Sequence, residues 1–152
     1  MKLIDIKRKL IDWYANSRGW RTNRKILVIE SDDWGSIRIP NKKVYNTYEK
    51  QFNFNNCPYS RYDGLETADD IHTIAELFYN IESQYGVSPV MTLNFLSGNP
   101  DFIKIRQDNL EKYHVEKVKD TYLKYDGEDN ALKYITGKYK KFFDTQFHGR
   151  EH

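Results

Sequence analysis

Helical periodicity and short continuous apolar runs alternate along this chain. Near its start, apolar residues recur at spacings of three and four: Leu3, Ile6, Leu10 and Trp13. This spacing predicts an amphipathic helix over residues 2–16. We expect its apolar stripe to pack on the domain; a basic helix lying on a membrane surface is the alternative. The uninterrupted run Ile26-Leu27-Val28-Ile29 predicts a strand over 26–31 that is covered on both faces.

Residues 35–65 show no lasting periodicity, and regular elements are predicted again behind them. Thr67 and Asp70 have the spacing of a capping box, which starts a helix that Gly86 ends. The remaining predicted elements are a strand at 89–95, a turn at 98–101, helices at 108–124 and 129–143, and a strand at 144–148. This alternation predicts an α/β fold whose parallel strands are joined by right-handed crossover helices.

Composition places the chain among globular proteins with one domain over residues 1–152. The apolar fraction is 39%, the charged fraction 30% and the net charge +2, which argues against strong nonspecific binding to nucleic acid. No apolar run is long enough for a membrane span. Cys57 is the only cysteine, which fits a reducing compartment, and no signal peptide is evident. We therefore expect a cytoplasmic protein.

Polar side chains that suit metal chemistry follow the predicted strands. Asp32 and Asp33 come directly after the first strand, and His148 and His152, four residues apart, follow the last. Carboxylates and imidazoles are ordinary zinc ligands, and three of them leave positions open for water and a substrate carbonyl oxygen. A neighbouring carboxylate can then accept the water's proton, a division of labour that an Asp-Asp pair suits. Asn94 ends the second strand, where it could contact a sugar hydroxyl.

These segments resemble two motifs of the polysaccharide deacetylases, the nodulation-protein-type chitooligosaccharide deacetylase domain. Ser31-Asp32-Asp33 followed by Gly35 is similar to the family's Thr-Phe-Asp-Asp-Gly, and His148 with His152 is similar to its His-Ser/Thr-x-x-His. The longer flanks look like a divergent bacterial branch. The resemblance implies that Asp32 is the general base, and that Asp33, His148 and His152 bind a divalent metal, usually zinc. It also implies an acetylated carbohydrate substrate that loses an N- or O-acetyl group.

The resemblance spans essentially the whole chain but only the N-terminal part of the family's distorted (β/α) barrel. We therefore expect an incomplete barrel that is a poor catalyst alone, with an open sheet edge that favours self-association. One alternative is a non-catalytic carbohydrate-binding remnant that uses the loop at 35–65. Another is a mononuclear iron oxygenase, because two His and one carboxylate also suit iron. A third is that the two histidines belong to a polar C-terminal tail.

Overall fold

Helices and short strands alternate along the chain in a computed structural model that describes residues 3–125 and 127–151. The helices are α1 (Leu3–Ser17), α2 (Lys42–Tyr48), α3 (Pro58–Arg61), α4 (Ala68–Tyr85), α5 (Phe102–Gln107), α6 (Val118–Tyr125) and α7 (Asn130–Lys133). The strands are β1 (Glu30–Trp34), β2 (Met91–Leu96), β3 (Gly98–Pro100), β4 (Val115–Lys117) and β5 (Phe143–Gly149). A 3-10 turn at Phe54–Asn56 and a π-helical turn at Tyr134–Lys138 complete these elements.

In the part of the chain that the structure describes, the main sheet has three parallel strands in the order β1-β2-β5. Helix α4 connects β1 to β2, and the segment from β3 to the π-helical turn connects β2 to β5. Strands β3 and β4 form a separate antiparallel pair. The predicted mixed α/β architecture with parallel strands is therefore confirmed. Because the strands run in one direction, their carboxyl ends meet at one edge of the sheet, where α/β folds place their sites.

Helix α4 anchors the core against the sheet. Thr67 and Asp70 form the predicted capping box, and Gly86 ends the helix with a φ of +64°. The buried core contains residues of α4, β2, the segment between β2 and β5, and the start of β5: Ile71, Ala75, Phe78, Leu93, Tyr122, Ile135, Tyr139, Phe142 and Phe143. Each large apolar side chain removed from water contributes on the order of 1.5–3 kcal/mol. This cluster therefore fixes β2 and β5 relative to α4.

The first strand begins later than its apolar run predicts. Ile26, Leu27 and Val28 are 55%, 84% and 69% exposed, and pairing with β2 starts where Thr92 N donates to Ile29 O at 3.0 Å. Among the described strands, β1 lies at the edge of the sheet and pairs with β2 alone. The prediction of a strand covered on both faces at 26–31 is wrong, because no described element covers residues 26–28.

The predicted packing of α1 on the domain is also wrong. Its apolar side chains are exposed: Ile4 is 77% exposed, Leu10 61% and Trp13 69%. The helix itself forms as the three-and-four spacing predicts, from Leu3 to Ser17. Among the described residues, no helix has the length and apolar character needed to cross a membrane.

The segment from 98 to 125 differs most from the prediction. Residues 98–100 form β3 rather than a turn, and α5 follows them; the predicted helix at 108–124 is replaced by an irregular stretch, β4 and α6. Asp101 starts α5 early, because its side chain accepts from Lys104 N at 3.1 Å. Asn109 and Leu110 then adopt φ values of +52° and +67°, which a right-handed helix does not accommodate.

Two other predicted segments are more structured or shorter than expected. The stretch at 35–65 contains α2, capped by the Asn41 side chain that accepts from Val44 N, as well as α3 and the 3-10 turn. The helix predicted at 129–143 is a single α-turn, α7, followed by the π-helical turn that contains Gly137. Its predicted core residues Ile135, Tyr139 and Phe142 are nonetheless buried.

Candidate metal site at the carboxyl edge of the sheet

The three parallel strands deliver the predicted polar side chains to one edge of the sheet. Asp32 and Asp33 lie near the end of β1, Asn94 near the end of β2, and His148 near the end of β5. Strand β2 lies between the other two, so β1 and β5 are roughly 10 Å apart. Side chains from these two strands must therefore reach towards each other over the end of β2.

Both outer strands carry an irregularity in register at this edge. On β1, Ser31 pairs with Leu93 and Trp34 with Phe95, so that Asp32 and Asp33 share the place opposite Asn94. Asp33 has a φ of +65°, in the left-handed region that residues other than glycine rarely adopt. Such bulges redirect a side chain out of the regular alternation of a strand.

The irregularity on β5 falls on His148. Phe147 pairs with Phe95 of β2 and Gly149 pairs with Leu96, the next residue of β2. His148 is therefore the extra residue of this bulge. The carboxylates of β1 and the imidazole of β5 thus both lie on β-bulges, on opposite sides of β2.

Asp33 and His148 meet at a distance that suits a shared metal ion. Asp33 Oδ1 lies 3.5 Å from His148 Nε2, and their side chains are 25% and 36% exposed. Two ligand atoms at about 2.0–2.1 Å from a tetrahedral zinc ion lie about 3.3–3.4 Å apart. The spacing of these two donor atoms is compatible with a shared zinc ion.

The other oxygen of Asp33 is held by Arg38. Arg38 Nη2 lies 3.1 Å from Asp33 Oδ2, and the guanidinium carbon lies 5.6 Å from the centre of the Tyr59 ring. The main-chain nitrogen of Arg38 also donates to the Asp63 carboxylate at 2.9 Å. Arg38 is therefore held at its backbone and at its side chain, and it orients Asp33 with Oδ1 towards His148.

Asp32 contacts Asn94 rather than Arg38. Asn94 Nδ2 donates to Asp32 Oδ1 at 2.7 Å across the gap between β1 and β2. Asn94 therefore contacts the predicted base, whereas its contact with a substrate stays a prediction. Asp32 is exposed, which leaves its carboxylate accessible to water.

The fourth predicted residue, His152, lies outside the described residues. Within residues 3–125 and 127–151, no group of three or more His, Cys, Asp or Glu side chains forms a metal-binding cluster. The structure thus brings Asp33 and His148 together, places Asp32 beside Asp33, and leaves the His152 assignment as a prediction. The zinc ion also stays a prediction.

The loop after β1 is held by two half-buried carboxylates, Asp63 and Glu66. Gly35 N donates to the Glu66 carboxylate at 3.2 Å, and Ile39 N donates to Asp63 Oδ2 at 2.7 Å. Tyr122 donates its hydroxyl to the same Glu66 carboxylate. Burial raises the pKa of both Asp63 and Glu66, against the opposing effect of these hydrogen bonds.

A buried amide holds the same loop from the other side. Asn99, 1% exposed, accepts from Ile37 N at 2.9 Å and donates to Gly35 O at 2.7 Å. Replacing Gly35 with a larger residue would strain this loop. It has a φ of +76°, and a Cβ there would lie 2.5 Å from a methyl carbon of Val118.

Sequence reasoning missed the residues that support this loop. Asp63, Glu66 and Asn99 lie 24 to 64 residues from the backbone groups that they contact. Asp63 and Glu66 fall in or near the stretch predicted to be irregular, and Asn99 falls in a predicted turn. The only available signal was the cluster of carboxylates at 63–66, which a turn would explain equally well.

The other face of this loop borders a cavity of about 410 Å³. Ile37 and Ile39 line it, together with Tyr45, Asp63 and Glu66 among others. Asp32, Asp33 and His148 do not line this cavity, so it is separate from the carboxylate–imidazole site. The loop therefore contacts the candidate site through Arg38 and the cavity through the two isoleucines.

Comparison with known proteins adds no relative. The chain matches no protein-family model, no curated protein and no solved structure. The resemblance to the polysaccharide deacetylases therefore stays a prediction from the motif residues. What the site can do has to be argued from Asp32, Asp33 and His148 and from the groups that orient them.

Proposed function

We propose that this chain carries the metal-binding and general-base residues of a metal-dependent carbohydrate deacetylase of the polysaccharide deacetylase type. The observation that carries the proposal is the 3.5 Å approach of Asp33 Oδ1 to His148 Nε2 at the carboxyl edge of a parallel sheet. Asp32 lies beside this pair on the same bulge. The reaction is hydrolysis of an N- or O-acetyl group on a sugar.

Asp33, His148 and His152 are the residues that would hold the metal, with zinc as the ion that the donor set favours. When bound, the metal would polarise the acetyl carbonyl and lower the pKa of a water molecule. Arg38 occupies one oxygen of Asp33 at 3.1 Å, so Asp33 would offer Oδ1 alone to the metal. Residues that orient a metal ligand in this way tune both its geometry and its basicity.

Asp32 would accept the proton of the attacking water. The Asn94 amide engages Asp32 Oδ1 at 2.7 Å, so we assign the proton to Oδ2. A general base must lie within hydrogen-bonding reach of the water, which the position next to Asp33 allows. Asn94 therefore acts on the proposed reaction as a positioning residue, and its contact with a sugar hydroxyl is a further part of the proposal.

The proposal includes a distorted (β/α) barrel in which β1, β2 and β5 form part of the wall. Parallel pairing and helical crossovers support this fold, and the same pairing disfavours an iron oxygenase, whose triad we expect on an antiparallel barrel. The substrate is an acetylated carbohydrate.

Metal binding is the primary test of the proposal. Purified protein should retain about one zinc per chain by elemental analysis, and Asp33→Asn and His148→Ala should each lose it. His114→Ala is the matched control, since His114 pairs with Asp108 away from the site. Unchanged zinc content in both site variants would overturn the assignment.

Hydrolysis separates the enzyme from a binding protein of the same fold. Asp32→Asn should keep zinc but lower acetate release from an acetylated chitooligosaccharide by about 10²–10⁴-fold. Binding of this sugar with no acetate release from the zinc-loaded protein would favour the non-catalytic carbohydrate-binding alternative. Retention of iron in preference to zinc would favour the oxygenase.

A further inference from the structure

Helix α1 presents an apolar stripe that no described element covers. Its members lie on one half of the helix and are between 57% and 77% exposed: Ile4, Leu10, Ile11, Trp13 and Tyr14. The opposite half carries charged and amide side chains, including Arg8, Asp12 and Asn16, and Lys7 is the one charged residue of α1 within the apolar half. A helix with this division and low mean hydropathy is typical of segments that lie at a membrane surface.

The same segment has an excess of basic over acidic residues. Residues 3–25 hold seven of the 24 Lys and Arg residues but only two of the 22 Asp and Glu residues. The rest of the chain therefore has more acidic than basic residues, although the net charge is +2. This asymmetry gives the segment an attraction to anionic surfaces that the rest of the molecule lacks.

The basic residues after the helix are held against its C-terminal turn. Arg18 Nη1 donates to Tyr14 OH at 3.0 Å, and its guanidinium lies 5.5 Å from the centre of that ring. Arg21 Nη2 donates to Ser17 O at 3.2 Å. Trp20, between these arginines, is 80% exposed. Tryptophan beside basic residues is the combination favoured at the boundary between lipid headgroups and acyl chains.

We propose that residues 3–25 bind the surface of an anionic lipid bilayer, with α1 lying in the interface and its apolar stripe towards the acyl chains. A nucleic acid would use the basic residues but leave the apolar stripe in water, since protein–nucleic acid interfaces are polar. A second copy of the segment would bring like charges together. A bilayer that contains anionic lipid satisfies both the stripe and the charge, and this surface is independent of the proposed metal site.

The test is flotation of the full chain with lipid vesicles. Vesicles of phosphatidylcholine with about 30% phosphatidylserine should recover the protein, and vesicles of phosphatidylcholine alone should recover at least about tenfold less. Leu10→Ser with Trp13→Ser should reduce binding by removing apolar contact. Arg21→Gln with Arg24→Gln should reduce it by about tenfold or more by removing charge. The control, Lys112→Gln with Lys140→Gln, removes the same charge from exposed positions elsewhere and should leave binding unchanged.

Several outcomes would overturn the proposal. One is equal recovery with neutral and anionic vesicles, and another is an equal loss in the control variant. Binding to a duplex oligonucleotide that requires Arg21 and Arg24, without binding to vesicles, would assign the segment to nucleic acid. A dimer that Leu10→Ser with Trp13→Ser converts to a monomer, again without vesicle binding, would assign the stripe to a second copy. Circular dichroism checks each variant, and the wild-type comparison of the two vesicle types needs no variant.

Discussion

Asp33 makes different contacts with its two carboxylate oxygens. Arg38 holds Oδ2, and His148 faces Oδ1. A carboxylate that is free to rotate could offer both oxygens to a cation, whereas this arrangement commits one oxygen to the guanidinium. Arg38 is in turn fixed by Asp63 at its main chain and by the Tyr59 ring at its side chain. The geometry at Asp33 therefore depends on a residue that has no metal-binding chemistry of its own.

Replacing Arg38 should weaken zinc binding without removing any ligand. Arg38→Gln should lower zinc affinity by about 10–100-fold, because Asp33 loses the partner that orients it. Competition with a chromophoric chelator measures the affinity. Arg61→Gln is the control, since Arg61 is a nearby exposed arginine that lies against the Tyr62 ring. An affinity for zinc that stays the same in Arg38→Gln would show that Arg38 does not orient a ligand.

The gathering of the candidate residues at one edge of the sheet could be predicted from the sequence, and the side chains that contact them could not. Asp32, Asp33 and His148 lie near the ends of predicted strands, and parallel strands gather such ends at one edge. The contact between Asn94 and Asp32 depends on the register of β1 against β2, which periodicity does not encode. Arg38 could be noted as a charged residue after the motif, but its contact with Asp33 follows from the conformation of the loop.

At the scale of elements, the predictions succeeded where local signals agree. Helix α4 has a capping box, an apolar stripe and a terminal glycine, and it forms from Ala68 to Tyr85 as these signals indicate. The prediction for residues 98–117 was wrong because β3 and β4 are short strands whose pairing joins residues far apart in the chain. The prediction that residues 26–28 are buried was also wrong. A continuous apolar run is typical of a strand covered on both faces, but no described element covers these residues.

The loop from Gly35 to Ile39 is the element that joins the sheet to the site. Glu66, Asp63 and Asn99 accept hydrogen bonds from its main-chain nitrogens, so the loop is held by side chains in place of a regular ladder. Two of these side chains, Asp63 and Glu66, are carboxyls, and burial raises the pKa of both. The stability of the loop should therefore depend on pH.

Glu66→Gln should change how stability varies with pH. Because the folded pKa of Glu66 lies above its ordinary value of 4.5, the unfolded chain loses this proton first as the pH rises. The folded state then binds more protons, so the wild type should lose stability relative to Glu66→Gln as the pH rises from about 4.5 through the folded pKa. Urea unfolding at a series of pH values measures this difference.

The control for this prediction is Glu111→Gln, at an exposed position away from the loop. Its difference in unfolding free energy from wild type should stay flat over the same pH range. If the Glu66→Gln difference is also flat, or grows in favour of the wild type with rising pH, burial does not govern this carboxyl.

The whole molecule exposes an apolar surface beside an open edge of the sheet. Strand β5 pairs with β2 on one side, and no described strand pairs with its other side. Phe147 on β5 is 76% exposed, and a groove of about 320 Å³ runs beside it, lined by Leu96, Val118 and Ile135 among others. Open strand edges next to apolar side chains promote association between chains.

We therefore expect the 152-residue chain to self-associate through β5. Phe147→Ser should shift the protein towards monomer in sedimentation velocity, because it removes apolar surface from the edge without removing a buried contact. Tyr85→Ser is the matched control, since Tyr85 is 72% exposed and lies at the end of α4. A monomeric wild type at concentrations near 100 μM, a typical range for weak association, would contradict this expectation.

The two bulges at the carboxyl edge have a consequence for how such a site can arise or disappear. Asp32 with Asp33, and His148, occupy positions where the outer strands each contain one more residue than β2 requires. Deleting His148 would let Phe147 and Gly149 pair with consecutive residues of β2, restoring an uninterrupted ladder with no imidazole. The difference between a sheet with this site and a sheet without it is thus a change in chain length, so a single-codon insertion or deletion could create or erase the site while the core beneath it stays intact.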